Sequence, residues 1–246
     1  MADWLTGQVV ENYQWHPDLF SLRVMAPRFE FTAGQFVRLG LTLDEQRVQR
    51  AYSLCNAPDD AVLDFLVTRV PQGKLSTALA ELKAGDSVEL SQPATGFFTL
   101  QEVPDGDSLW LLATGTGIGP YLSMLATGEP WQRYKRIVLV HAVRFAADLA
   151  YQSLINGWRE KYPQRFHYQP IVSRESVPGV LRGRIPQLIK SGDLQRACQT
   201  DLNPRSQVMI CGNPDMIRET RKLLDELGLP KNLRRKPGNV TVEQYW

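Results

Sequence analysis

Residues 108–120 read Ser-Leu-Trp-Leu-Leu-Ala-Thr-Gly-Thr-Gly-Ile-Gly-Pro. Six residues of a buried-type strand run straight into three glycines spaced Gly115-x-Gly117-x-Gly119, and Pro120 follows. Proline suits the first turn of a helix, where its missing N–H has no partner to lose. The stretch predicts a strand, a tight turn and a helix over residues 118–126. Glycines at such a turn let backbone N–H groups approach an anion, and the helix start adds partial positive charge. The spacing is not the G-x-G-x-x-G of the usual dinucleotide fingerprint. A tight turn with no ligand is the competing reading.

Downstream, the alternation continues. Strands are expected at 137–142, 166–172 and 207–211, and helices at 147–161, 185–191 and 215–227. Strands alternating with helices imply parallel β-α units, a Rossmann-like α/β domain. Upstream, short runs at 7–11, 19–25, 35–41, 51–54, 62–70 and 87–90 lie between turn residues. That rhythm predicts an antiparallel β-barrel or sandwich. One helix interrupts it, with Leu75, Leu79 and Leu82 on one side. A boundary near residue 100 divides the chain into 1–100 and 101–246. The segment from Lys231 to the C-terminus reads as a tail that leaves the alternating pattern.

Composition bounds the function. The chain has 246 residues, 43% hydrophobic and 22% charged, so a folded core is expected. Its net charge of +2 is too balanced for a protein that coats nucleic acid. Three cysteines are too few for the usual four thiolates of an iron–sulfur cluster, and no Cys-x-x-Cys pair exists for zinc. Redox chemistry would therefore rest on an organic cofactor, with no metal. The N-terminus lacks a secretory pattern and no run approaches the length of a membrane helix, so a cytoplasmic protein without membrane insertion is expected.

Several residues carry possible chemistry. An NAD-selective site places an acid about 20 residues beyond the glycine loop. Here the strand ends carry Arg144, then Ser173-Arg174, with Arg184 beyond. Guanidinium forks suit a 2′-phosphate, which favours NADP, although surface arginines are common. Arg50-Ala51-Tyr52-Ser53 and Gly73-Lys74-Leu75-Ser76 offer a cation, an aromatic ring and a helix start. Arg50–Ser53 reads equally well as an ordinary half-exposed strand. Cys211-Gly212-Asn213-Pro214 follows the last strand, and a buried structural cysteine is the commoner fate of such a thiol. His16, His141 and His167 read as surface or core residues, outside any acid–base constellation. Tyr245-Trp246 suggests docking on something flat, or packing on the protein itself.

Together, and in this order, the segments resemble the plant-type ferredoxin–NADP+ reductase family, in its bacterial flavodoxin/ferredoxin branch. The resemblance covers essentially the whole chain. It implies an FAD-binding β-barrel at 1–100 and an NADP-binding α/β domain at 101–246, with the C-terminal tail returning to the flavin. It implies transfer of electrons between NADPH and ferredoxin or flavodoxin, by hydride transfer between nicotinamide and flavin N5 and one-electron steps to the protein partner. Arg50 would hold the FAD pyrophosphate; Ala51 belongs to the same motif. Tyr52 would pack on the isoalloxazine, and Ser53 would lie near N5. Lys74, Leu75 and Ser76 would bind FAD phosphate, Thr116 would approach the flavin as well as the NADP side, and Trp246 would cover the adenine end. Thr114, Gly115 and Gly117 belong to the nucleotide loop, where Gly117 stands in place of a somewhat larger small residue. Arg144, Ser173, Arg174 and Arg184 would hold the 2′-phosphate end of NADP(H), and Cys211 would shape the hydride-transfer pocket. Lys231, Arg234, Arg235 and Lys236 would face an acidic partner protein, and the family implies a monomer. A reductase component of an oxygenase system, a flavin reductase, a non-catalytic NADP-binding sensor and an electron-transfer subunit without its own turnover are the alternative readings.

Overall fold

A computed structural model describes residues 3–245. The chain divides into two compact units. One holds the residues up to Leu100 together with Gly119–Thr127; the other holds Gln101–Ile118 and the chain from Gly128 onward. The chain therefore passes between units near residues 100, 118 and 127, where the sequence suggests a single boundary.

The first unit is a six-stranded antiparallel sheet. Its strands are β1 (Asp3–His16), β2 (Leu19–Met25), β3 (Phe36–Leu43), β4 (Gln46–Ser53), β5 (Val62–Thr68) and β6 (Ser87–Gln92), in the order β4-β3-β6-β1-β2-β5. The sheet curls until its edges meet: Cys55 N–H, just past β4, donates to the Asp64 carbonyl of β5 at 2.8 Å. This is the expected barrel. Phe20, Leu22, Val24, Val37, Leu39, Phe65 and Leu90 fill it. They alternate along their strands, so one face of each strand points inward. Helix α1 (Lys74–Glu81) buries Leu75 and Leu79 against this core. Helix α2 (Gly119–Ala126) belongs to the same unit, where Ser123 Oγ donates to the Asn56 carbonyl at 2.6 Å.

The second unit is a six-stranded parallel sheet. Its strands are β7 (Ser108–Thr114), β8 (Arg136–Val143), β9 (Phe166–Val172), β10 (Leu181–Arg182), β11 (Ser206–Gly212) and β12 (Val240–Gln244), in the order β10-β9-β8-β7-β11-β12. Helices α3 (Glu129–Arg133), α4 (Gln152–Lys161), α5 (Ile185–Lys190), α6 (Asp193–Cys198) and α7 (Pro214–Glu226) connect the strands. Central strands of such sheets are covered on both faces, so they read as apolar runs; every residue of β11 is buried. The order reverses between β7 and β11, which makes the carboxyl ends of these two strands the switch point where ligands bind in open α/β sheets.

Three expectations need correction. The tail does not leave the pattern: β12 pairs with β11 along its whole length. Its five residues follow a basic turn and give little periodicity to read. The helix expected from 147 starts at Gln152, because Ala146–Asp148 forms a 3-10 turn and Tyr151 takes φ 58°. The sequence places Met216, Thr220, Leu223, Leu224 and Leu227 on one side of the helix at 215–227, whereas on α7 the buried face is Met216, Ile217, Thr220 and Leu224 and Leu227 is exposed.

Candidate functional site

In the first unit, α1 starts at Gly73 with no side-chain cap. The N–H groups of Lys74, Leu75 and Ser76 are those that a helix leaves without internal partners. The usual capping side chain is replaced by a fold-back. Ser76 Oγ accepts from Val70 N–H at 3.1 Å and faces the Gly73 carbonyl at 3.4 Å. A Cβ on Gly73 would stand 2.7 Å from that oxygen, so the turn has no room for a side chain. The Leu75 side chain is core, which leaves its backbone amide as the part a ligand can meet. Lys74 is exposed and lies 3.8 Å from Asp44 in the β3–β4 turn.

Strand β4 is an edge, and its register places Arg50 opposite Leu39 and Tyr52 opposite Val37. Both partners are fully buried, yet Arg50 is exposed and Tyr52 half-buried. The inward face of the barrel thus opens at Arg50. The Arg50 guanidinium donates to the neighbouring Gln49 carbonyl at 2.7 Å. Burial pushes the Tyr52 hydroxyl up to about 12, against the opposing pull of the Arg50 charge, so it stays a neutral ring with a polar tip. Ala51 is exposed and Ser53 is buried at the end of the strand.

In the second unit, residues 115–118 form a 3-10 turn at the switch point. Gly115 takes φ +53°. A Cβ on Gly117 would lie 2.7 Å from the Cys211 carbonyl and 3.1 Å from Gly212 Cα. On this backbone Gly117, which stands where the resemblance puts a somewhat larger small residue, leaves no room for a side chain. Thr114 Oγ1 accepts from Asn213 N–H at 2.8 Å, and the Asn213 side chain caps α7 through Asp215 and Met216. Thr114 therefore ties the ends of β7 and β11 together, and Thr116 is almost fully buried in the turn.

The arginines gather at the same edge of the sheet. Arg174 N–H donates to the Arg144 carbonyl at 3.0 Å, and Ser173 donates to the Val143 carbonyl from both its N–H and its hydroxyl. β10 pairs Arg182 with Val172, which puts Arg184 level with the residues just beyond β9. Arg144, Arg174 and Arg184 are all exposed. Among the described residues none of the three forms an ion pair. The nearby Glu175 carboxylate accepts from Ala146 N–H instead. Arg174 lies 6.0 Å over the Phe145 ring.

Cys211 stands opposite Glu243 in the β11–β12 register. Burial holds its thiol well above the ordinary range, the Glu243 charge adds to this, and a hydrogen bond with the Tyr245 side chain opposes it. Cys211 is thus a neutral thiol, whose contribution is shape. Burial also raises Glu243 to about 7, and its Oε2 has no hydrogen-bond partner among the described residues. Tyr245 N–H donates to the Gly212 carbonyl at 3.1 Å. The candidate Trp246 lies outside the described residues.

The basic segment forms a tight turn closed by reciprocal Leu233–Lys236 backbone hydrogen bonds. Arg234 and Arg235 are at its tip. Lys231, Arg234, Arg235 and Lys236 are exposed, and Arg234 pairs with Glu102 at 3.1 Å.

Two site residues escaped the sequence reading. Glu243 sits in a strand that was not expected. His141 is fully buried beneath the glycine turn, 3.0 Å from the Gly115 carbonyl. One polar residue inside the run Ile137-Val138-Leu139-Val140-His141-Ala142 was the available signal.

Residues 11–98 match the oxidoreductase FAD-binding domain family, and residues 111–222 match the oxidoreductase NAD-binding domain family. The flavodoxin/ferredoxin–NADP reductase of Escherichia coli (strain K12) is 52% identical over 248 residues, covering 100% of both chains. The ferredoxin–NADP reductase of Pseudomonas aeruginosa is 34% identical, over 99% of this chain and 98% of its own. A crystal structure of a ferredoxin NADP+ reductase from Neisseria gonorrhoeae, with bound FAD and NADP, superposes with a TM-score of 0.95 at 32% identity, covering 100% of each chain. With an FAD-binding half, an NAD-binding half and full-length relatives of one kind, this chain belongs to the flavodoxin/ferredoxin–NADP reductase family.

Proposed function

We propose that this chain is an FAD-dependent oxidoreductase that passes electrons between NADPH and ferredoxin or flavodoxin. The observation that carries the nucleotide reading is the row of exposed Arg144, Arg174 and Arg184 with no carboxylate paired to any of them among the described residues. Unpaired guanidinium groups at the carboxyl edge of a parallel sheet fit a phosphate, and the nearby Glu175 carboxylate is engaged by the Ala146 N–H rather than by an arginine.

The first unit fits FAD by the chemistry of its donors. The uncapped start of α1 presents the N–H groups of Lys74, Leu75 and Ser76 to a phosphate. Arg50 adds a cation on the open inward face of β4, next to the flat ring of Tyr52, with Ala51 and Ser53 completing the strand end. Bound FAD supplies the conversion between a two-electron hydride donor and one-electron acceptors. In this reading residues 1–100 hold FAD and residues 101–246 hold NADP(H).

The chain's own residues then have defined tasks. Thr114, Gly115 and Gly117 shape the turn so that backbone N–H groups face the dinucleotide phosphates. Ser173 and the three arginines select the 2′-phosphate. Cys211, neutral and buried, shapes the nicotinamide side, Thr116 serves both the flavin and the NADP side, and Trp246 is assigned to the flavin. No acid–base dyad is needed for hydride transfer. Lys231, Arg235 and Lys236, with Arg234, steer an acidic partner by long-range attraction. No helix among the described residues is long and apolar enough to cross a membrane. Three buried free thiols suit a reducing compartment, so we place the protein in the cytoplasm, as a monomer.

The test is an absorption spectrum of the purified protein before and after anaerobic addition of NADPH, then NADH. Flavin bands that bleach fast with NADPH and slowly with NADH are expected. A protein that stays colourless after incubation with FAD would overturn the reading.

A further inference from the structure

We propose that His141 is a positioning residue of the dinucleotide site: its ring holds the Gly115 carbonyl and so aims the Thr116 N–H at the nucleotide phosphates. The inference rests on the NADP(H) reading above and adds a residue to it.

The geometry is specific. His141 lies near the end of β8, in register with Ala113 of β7 and Pro170 of β9, and is wholly buried. Its Nε2 is 3.0 Å from the Gly115 carbonyl oxygen. A carbonyl only accepts, so Nε2 carries the hydrogen, and Nδ1 is the bare acceptor. Nδ1 is buried with no partner among the described residues. An imidazole placed for packing alone would bear the penalty of an unmet buried polar atom where an apolar ring of the same shape would bear none. Burial holds the ring down at about 4, the Gly115 bond and the Asp148 charge opposing this, so it is neutral at ordinary pH.

The consequence follows from the planar trans peptide, in which C=O and N–H point in opposite directions. Fixing the Gly115 carbonyl toward His141 turns the Thr116 N–H away from it. Gly115 needs this restraint more than other residues, since glycine has the widest backbone freedom and here takes φ +53°. Without His141 the turn keeps its glycines but loses the group that selects one orientation of that peptide.

The experiment compares two probes on the FAD-loaded protein, by titration calorimetry. NADP+ engages both the loop and the arginines, whereas adenosine 2′-monophosphate lacks the pyrophosphate and engages the arginines alone. His141→Phe is expected to weaken NADP+ by about tenfold, the size of one lost hydrogen bond, and to leave adenosine 2′-monophosphate within about twofold. His141→Gln, which keeps a donor, is expected to recover part of the loss. Unchanged NADP+ affinity in His141→Phe, or an equal loss for both probes, overturns the proposal while the function stands. A wild-type protein that binds neither probe overturns the NADP(H) reading itself and this inference with it. Nitrogen NMR of the wild-type ring needs no variant: a protonated Nε2 and bare Nδ1 are expected, and the opposite tautomer overturns the proposal.

Discussion

Glu243 and Cys211 face each other across the β11–β12 pair, a carboxyl raised to about 7 beside a thiol held neutral. Neither is ionised at slightly acid pH: burial raises the Glu243 carboxyl, and burial together with the Glu243 charge raises the Cys211 thiol. At the far side of β7, His141 is a second buried titratable group of opposite kind.

These two groups give opposite pH slopes. Folded Glu243 holds its proton to about pH 7 against 4.5 when unfolded, so stability falls as pH rises through that window. Folded His141 releases its proton at about 4 against 6.5 when unfolded, so stability is lost as pH falls from 6.5 toward 4. Their contributions offset one another between 4.5 and 6.5. Glu243→Gln is expected to be more stable above pH 7 by up to about 3 kcal/mol, and to show the His141 slope alone. His141→Phe is expected to show the reverse slope. Urea melts at pH 4.5, 5.5, 6.5 and 7.5 measure both; parallel curves for wild type and variants would reject the assignment.

Gly117→Ala places a methyl group 2.7 Å from the Cys211 carbonyl. The neighbour is backbone and cannot turn aside. A loss of about 1–3 kcal/mol in stability is expected, together with weaker NADP+ binding. Thermal melts and NADP+ titration check this, and a wild-type melting temperature would refute it.

Arg174→Ala and Arg184→Ala are each expected to reduce discrimination between NADPH and NADH by about tenfold or more, since a charged hydrogen bond contributes about 1.5–3 kcal/mol. The loss should appear in KM for NADPH more than in kcat. An unchanged preference in the double variant would exclude the arginine row.

Arg235→Glu is expected to slow reduction of flavodoxin more than Arg234→Glu, because Glu102 already partly neutralises Arg234. Reduction of a small dye by NADPH should not change. The difference should shrink with added salt, as exposed charges are screened beyond roughly 10 Å at 0.1 M. Equal loss with dye and protein acceptors would argue against a docking role.

Cys211 is expected to resist alkylation at pH 8 in the folded protein and to react at once in urea, because burial keeps it a thiol. Mass spectrometry reads the difference; rapid labelling of folded Cys211 would contradict its environment.

Much of this protein is legible in its sequence. The buried run Ser108–Ala113 into the glycine turn, and the alternation of strands and helices after it, determined the parallel sheet, because strands covered on both faces must be apolar throughout. The short strands before residue 100 determined the antiparallel unit. Arg144, Arg174 and Arg184 were readable as a set because each follows a strand, and parallel strands deliver their carboxyl ends to one edge. Other features were decided only by tertiary structure. Helix α2 packs with the unit that precedes its own strand, and no local pattern encodes that choice. Glu243 acquired its raised carboxyl from the pairing of β12 with β11, a contact that no spacing along the chain predicts. His141 reads as one polar residue in an apolar strand until the fold sets Gly115 above it. Local periodicity specifies which face of an element is buried; what a buried polar atom meets there depends on strands that are distant in sequence.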